Sequence, residues 1–189
     1  MGKTKSSFIN MVVTLFVVTG VASLALAGVY KLTKEPIAMV QKQKQENAIK
    51  QVVPEFDEIK ENTITLSTGE QLVCFDAFNG DEKVGTAVKT FTNKGYSGLV
   101  ELMVGFLPDG SIKNVEVLKQ TETPGLGTKM TQQAFKGQFD GKNPLQFRIR
   151  VKKDGGDVDA ITAATISSRA FCDAAERAYE AYKAEGGNQ

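Results

Sequence analysis

The chain contains no histidine, no tryptophan and two cysteines. Its charge is nearly balanced, with 23 Lys+Arg against 22 Asp+Glu in 189 residues. Without histidine there is no Ser-His-Asp or Cys-His relay, no His-ligated haem and none of the usual catalytic zinc sets. Cys74 and Cys172 cannot supply the four thiolates of an iron–sulfur cluster, and their spacing is not that of a C-x-x-C redox motif. Redox chemistry in this chain would therefore need an organic cofactor. The balanced charge excludes the basic excess of a nucleic-acid binder. No general acid–base group and no metal ligand set stands out, so no catalytic or metal-binding residue is assigned and no stand-alone turnover is expected.

One long apolar run is present. Phe8–Tyr30, 23 residues, carries no charge. At about 1.5 Å per residue it spans roughly 35 Å, enough to cross a bilayer core with some tilt. Lys3 and Lys5 precede it, and Lys31, Lys34 and Glu35 follow, so the basic residues orient it only weakly. A short basic lead before a first apolar segment reads as residues 1–7 in the cytoplasm, residues 8–30 across the cytoplasmic membrane in a single pass, and the bulk of the chain outside. Ala25-Leu26-Ala27 has the small-x-small spacing of a signal-peptide cleavage site. The run, however, exceeds the usual apolar core of roughly 7–15 residues, which favours a retained anchor. Beyond residue 30 the chain holds 21 basic and 22 acidic residues, an ordinary solvated surface.

Residues 31–54 read as a helical stalk. Pro36 suits a helix first turn, Ile37, Val40, Ala48 and Ile49 recur at roughly helical intervals, and Pro54 ends the pattern. Residues 55–189 form the expected extracytoplasmic domain. Strand-like runs at Thr63–Ser67, Gln71–Phe78, Val84–Phe91, Leu99–Leu107 and Ile112–Leu118 are separated by turn residues, most clearly Pro108-Asp109-Gly110-Ser111, and read as an antiparallel meander. Lys129–Phe139 reads as a short helix. Leu145–Val151 alternates as a further strand, with Phe147, Ile149 and Val151 on one face. From Ile166 to about Ala184, Phe171, Ala174, Ala175, Ala178 and Tyr182 line one face of an amphipathic helix. The class is α+β: an N-terminal transmembrane helix and stalk, then a curled antiparallel sheet with packed helices. The two cysteines fall in a strand and in the last helix, where either a disulfide or two buried free thiols is compatible with the sequence.

Two segments carry possible chemistry. Asp159-Ala160-Ile161-Thr162-Ala163-Ala164-Thr165-Ile166-Ser167-Ser168 places four hydroxyls where the last helix begins. Helix capping is the ordinary use of such residues. The alternative is an anion site, since free N–H groups and the helix dipole favour a phosphate there. Glu122-Thr123-Pro124-Gly125-Leu126-Gly127 can form a type II turn at Pro124-Gly125, and its glycines permit close backbone approach to a ligand. Taken alone it is also an ordinary loop.

Together these segments resemble a known family. Asp159-x-x-Thr162-x-Ala164-Thr165-x-Ser167-Ser168 is similar to the flavinylation motif of the FMN-binding domain family. With the Glu122–Gly127 loop, Gly95-Tyr96-Ser97-Gly98 and Val104-Gly105-Phe106…Gly110-x-Ile112, the chain resembles the G subunit of Rnf-type electron-transport complexes over nearly its whole length. The C subunit of the sodium-pumping NADH:quinone reductase is a related protein. The resemblance implies FMN esterified through its phosphate to Thr165 by a flavin transferase. It implies Glu122, Thr123, Gly125, Leu126 and Gly127 along the isoalloxazine or ribityl chain. Asp159, Thr162, Ala163 and Ala164 belong to the motif that the transferase recognises. It further implies an electron carrier, assembled with other membrane and peripheral subunits, relaying electrons between reduced ferredoxin and NAD with coupled ion pumping. The chain departs from the pattern twice: Ala163 stands where the family usually has Gly, and Gln120 where the loop is usually preceded by His. Ala is tolerated at 163 unless the backbone there has positive φ. The alternatives are a component like the C subunit of the quinone reductase, a free-standing flavin domain serving an extracellular reductase, and a non-redox anchored interaction module.

Overall fold

The computed structural model of the protein describes residues 8–186, so the expected cytoplasmic segment 1–7 lies outside the described residues. Helix α1 (Phe8–Val52) is one helix of 45 residues. Pro36, which suits a helix start, lies inside it instead. The proline lacks the N–H for one rung of the ladder, yet the helix continues on both sides. Val53 N–H still bonds the Ile49 carbonyl (3.1 Å) before Pro54 turns the chain. Among the described residues α1 is the helix long and apolar enough to cross a membrane.

The chain divides into two compact units between Gln43 and Lys44. In the first, every described side chain is exposed. Apolar surface exposed all round a helix is suited to lipid rather than to water.

The second unit is built on five strands: β1 (Glu58–Thr65), β2 (Gln71–Asn79), β3 (Glu82–Gly95), β4 (Gly98–Phe106) and β5 (Ile112–Gln120). They lie side by side in chain order, each antiparallel to the next. The meander expected from the turn residues is present. At the Pro108–Ser111 turn, Gly110 has φ 81°, and the Asp109 carboxylate accepts the Ser111 N–H (2.9 Å) and O–H (2.6 Å). Those two bonds hold the Asp109 carboxyl below its ordinary range. β1 starts at Glu58 rather than Thr63. The added residues are exposed and include Glu58, Lys60 and Glu61, as suits an edge strand, and so they carry no alternation to read.

The sheet is covered on both faces. On one face α3 (Thr165–Ala184) lays Ala170, Ala174, Ala175 and Ala178 over Leu72, Val88, Leu102 and Val104. The small side chains let helix and sheet approach closely, and the Thr90 hydroxyl bonds the Ala174 carbonyl (2.9 Å). Phe106 stacks on Tyr182 with centroids 4.7 Å apart. On the other face Ala48, Ile49, Val52 and Val53 pack on Phe75, Ala77, Ala87 and Met103. Lys113 and Asn114 of β5 donate to the carbonyls of Val53 (2.5 Å) and Gln51 (3.2 Å), which lack helical partners. Gly105 makes this seat possible, because a Cβ there would lie 1.8 Å from the Val52 carbonyl oxygen.

Two expected elements differ. Lys129–Phe139 is a 3₁₀ turn (Gly127–Thr131) and a single-turn helix α2 (Gln133–Lys136). Leu145–Val151 is not a strand, apart from one bridge between Val151 and Val158. Its alternation does record burial, since Ile149 and Val151 are buried. Its backbone groups, however, pair within the segment and with residues 157–158 just downstream, as in Asp157 N–H to Arg148 (3.1 Å) and Val158 N–H to Arg150 (3.0 Å). Cys74 and Cys172 are free and buried, not disulfide-bonded. Burial pushes the Cys172 thiol up to about 12, and pushes Cys74 up as well, with Glu185 and Asp76 adding to the effect.

Two outcomes follow from this packing. Gly105→Ala overpacks the Val52 seat and is expected to destabilise the protein by about 1–3 kcal/mol in chemical denaturation. Both thiols are neutral at pH 8, so iodoacetamide should leave the folded protein unlabelled and modify both cysteines once denaturant is added. Labelling of the folded chain would contradict this burial.

Candidate functional site

The site is built where α3 begins. Ala164 occupies the N-cap, with φ −135° and ψ 45°, and contributes no side-chain cap. The neighbouring hydroxyls do not cap it either. Ser168 Oγ accepts the Ile161 N–H (2.9 Å) and donates to the Ala164 carbonyl (3.0 Å), stitching the approach loop to the first turn. Ser167 Oγ donates to Glu122 Oε2 (2.5 Å). The half-buried Thr165 hydroxyl makes no hydrogen bond among the described residues. The first intrahelical bond here runs from Ser168 N–H to Ala164, so the amides of Thr165, Ile166 and Ser167 stand at the open, positive end of the helix.

The facing wall is the loop after β5. Leu126 N–H bonds the Thr123 carbonyl (3.1 Å) and Gly125 has φ 75°, a type II turn with glycine where positive φ is required. Glu122 is 4% exposed. Its Oε1 accepts the Ser97 N–H (3.1 Å) and its Oε2 the Ser167 O–H, so both oxygens are used inside the protein. Gln120, at the position where the resemblance would place His, accepts the Glu122 N–H (2.7 Å) and so fixes the loop entry. Gly127 is tight against this junction, since a Cβ there would lie 2.5 Å from Ser167 Oγ and 2.7 Å from Glu122 Oε2.

Between these walls lies a cleft of about 510 Å³. It brings together Glu122, Thr123, Leu126, Gly127, Ala163, Ala164 and Thr165 from the expected set. It adds Tyr96, Ile166 and Ser167, which sequence reasoning had not assigned to the site. Tyr96 is 69% exposed at the β3–β4 turn, and Leu126 and Ile166 are also large exposed apolar side chains. The signal for Tyr96 was an aromatic residue between glycines at a turn, Gly95-Tyr96-Ser97-Gly98. Three expected residues are not in the cleft lining. Gly125 shapes the turn. Asp159 is exposed, pairs with Lys152 (2.7 Å), and is held at its backbone by Gln138 (2.7 and 3.2 Å). Thr162 is exposed. A second groove, of about 490 Å³ along the outer face of α3, is lined by charged residues such as Arg148, Arg150, Glu176 and Lys183. Arg150 pairs with Glu176 there (3.2 Å).

Ala163 is the one non-glycine residue with positive φ among the described residues, at 61°. This is the condition under which an alanine is strained, because Cβ crowds the following carbonyl in the left-handed region.

Comparison with known proteins gives a consistent result. Residues 95–180 match the FMN-binding domain family. The chain is 32% identical over 185 residues to the G subunit of the ion-translocating oxidoreductase complex of Methanosarcina acetivorans, covering 94% of this chain and 96% of that one. It is 28% identical over 172 residues to the G subunit of the proton-translocating ferredoxin:NAD(+) oxidoreductase complex of Clostridium ljungdahlii, covering 90% and 87%. Among solved structures, the C subunit of the Na(+)-translocating NADH-quinone reductase from Parabacteroides distasonis shares the fold, with TM-score 0.53, 18% identity, and 78% and 84% coverage.

The strain at Ala163 is directly testable. Ala163→Gly relieves a left-handed cost of about 1–2 kcal/mol and gives back part of it as unfolded-state entropy. The variant should melt roughly 1–4 °C higher. A lower melting temperature would show that the Ala163 methyl contributes packing worth more than the strain.

Proposed function

The chain belongs to the family of G subunits of ion-translocating oxidoreductase complexes, and from that premise we propose that it is the membrane-anchored electron-transfer subunit of such a complex, working through FMN held at the start of α3. The residues present fit that group. The cleft is within the range of roughly 300–1,000 Å³ usual for cofactor sites. It is positive at the helix end, polar at Thr123 and Thr165, and apolar at Tyr96, Leu126 and Ile166. Bound FMN would supply the one- and two-electron chemistry that no side chain here can perform.

The single observation that carries the reading is the unpartnered Thr165 hydroxyl in the cleft, beside the free amides of the first turn. Those amides would hold the phosphate, and the Thr165 oxygen would carry it as an ester. Thr165 Oγ would be the ester oxygen, and a flavin transferase would supply the flavin phosphoryl group from an activated flavin nucleotide. Leu126, Ile166 and Tyr96 would cover the ring, and Gly127, with Ala163, Ala164 and Thr123, would allow close backbone approach. Asp159 and Thr162, exposed and outside the cleft lining, suit recognition by the transferase instead.

The uncharged stretch of α1 is the membrane anchor. In the proposed arrangement it crosses once, with the N-terminus in the cytoplasm and the flavin domain outside. There the protein passes electrons along a path between ferredoxin and NAD, and the complex couples that flow to ion translocation. Its partners are the other subunits of the complex.

Expression of the chain with a flavin transferase should give a protein band that stays fluorescent after denaturation, and Thr165→Ala should abolish the signal. A wild-type band without fluorescence under those conditions would sink the reading.

A further inference from the structure

We infer that Glu122 is a positioning residue: a buried carboxylate latch that sets the first turn of α3, and with it the Thr165 hydroxyl, before any flavin is present. The inference rests on the proposed flavin site and changes what Glu122 does there. A carboxylate that served the cofactor directly would be free to turn toward it, whereas each Glu122 oxygen already accepts a hydrogen bond from within the protein. Its two oxygens are engaged by Ser97, 25 residues away in the chain, and Ser167, 45 residues away. One side chain thus ties together the β3–β4 turn, the loop after β5 and α3.

Three further features support the latch. First, burial of a carboxylate is costly unless its lone pairs are met, and here both oxygens are met by donors from other elements. Second, the space is closed. A Cβ at Gly95 would lie 2.5 Å from Glu122 Oε1, and one at Gly127 would lie 2.7 Å from Oε2. The carboxylate is therefore held between two glycines with little room to move. Third, a carboxylate at a helix N-terminus ordinarily takes the backbone amides of the first turn. Glu122 takes the Ser167 hydroxyl instead, so the amides of Thr165, Ile166 and Ser167 stay available to an anion. The turn so held follows Ala163, whose left-handed backbone would relax if the turn were released.

The test uses the full chain in detergent as wild type, Glu122→Gln, Glu122→Ala and Ser167→Ala. Hydrogen exchange over residues 162–169 is measured on protein made without a flavin transferase. Covalent flavin uptake is then measured with the transferase and its flavin nucleotide, well below each variant's melting temperature. Loss of both buried hydrogen bonds should speed first-turn exchange in Glu122→Ala about tenfold or more, and flavin uptake should slow to match. Ser167→Ala, the milder variant, should shift both in the same direction. Glu122→Gln should stay within about threefold of wild type, because its oxygen can still accept from Ser97 and its amide can donate to Ser167 Oγ. Unchanged exchange in Glu122→Ala would overturn the latch. So would a Gln variant as impaired as the Ala variant, since charge rather than positioning would then be at work. If wild type takes up no flavin, the flavin reading fails, while the exchange arm still decides the latch.

Discussion

The close approach between the loop after β5 and the first turn of α3 is the contact on which the candidate site depends. It exists because Gly127 has no Cβ, which leaves room for Ser167 Oγ and Glu122 Oε2 to meet. On one side of the contact lies the type II turn of residues 123–126, and on the other the uncapped end of α3. Separated by even a side chain's width, these would be a loop and a helix end with no cleft between them. Held together, they set a hydroxyl, three free amides and a ring of apolar side chains around one space.

The rest of the domain serves to place that contact. The meander runs in chain order, so the loop after β5 and the turn between β3 and β4 emerge beside one another. α3 is seated on the same sheet by its alanine face, and the depth of that seat sets where its first turn falls. On the opposite face, residues 48–53 are seated against β4 through Gly105 and tied to β5 through Lys113 and Asn114. β4 is therefore buried on both faces, which explains why Leu99–Leu107 is the most apolar run outside the membrane segment.

Much of this was legible in the sequence. The four turns and the α3 stripe follow from local pattern, and the structure places them within a few residues of expectation, while the uncharged stretch lies within α1, which runs on to Val52 without a break. The first half of β1 was not legible, because an exposed edge strand has no buried face to impose a period. Leu145–Val151 misled for the opposite reason. Its alternating burial is real, but no free strand edge meets it, and its backbone bonds close locally. At the site, the contiguous motif and loop were readable, whereas Tyr96 and the pairing of Glu122 with Ser97 and Ser167 are products of tertiary approach. Ala163 is a case of local conflict. Its residue type gives no hint of a left-handed backbone, and only the surrounding structure imposes it.

The central claim is that this junction holds FMN on Thr165. Trypsin cleavage after Lys153 and Arg169 releases residues 154–169, a peptide that contains Thr162, Thr165, Ser167 and Ser168. The most direct measurement is the mass and fragmentation of that peptide from protein isolated from its native membranes. The account predicts an added FMN phosphoryl group, with fragment ions placing it on Thr165. An unmodified peptide, or flavin on Thr162, Ser167 or Ser168, would contradict it.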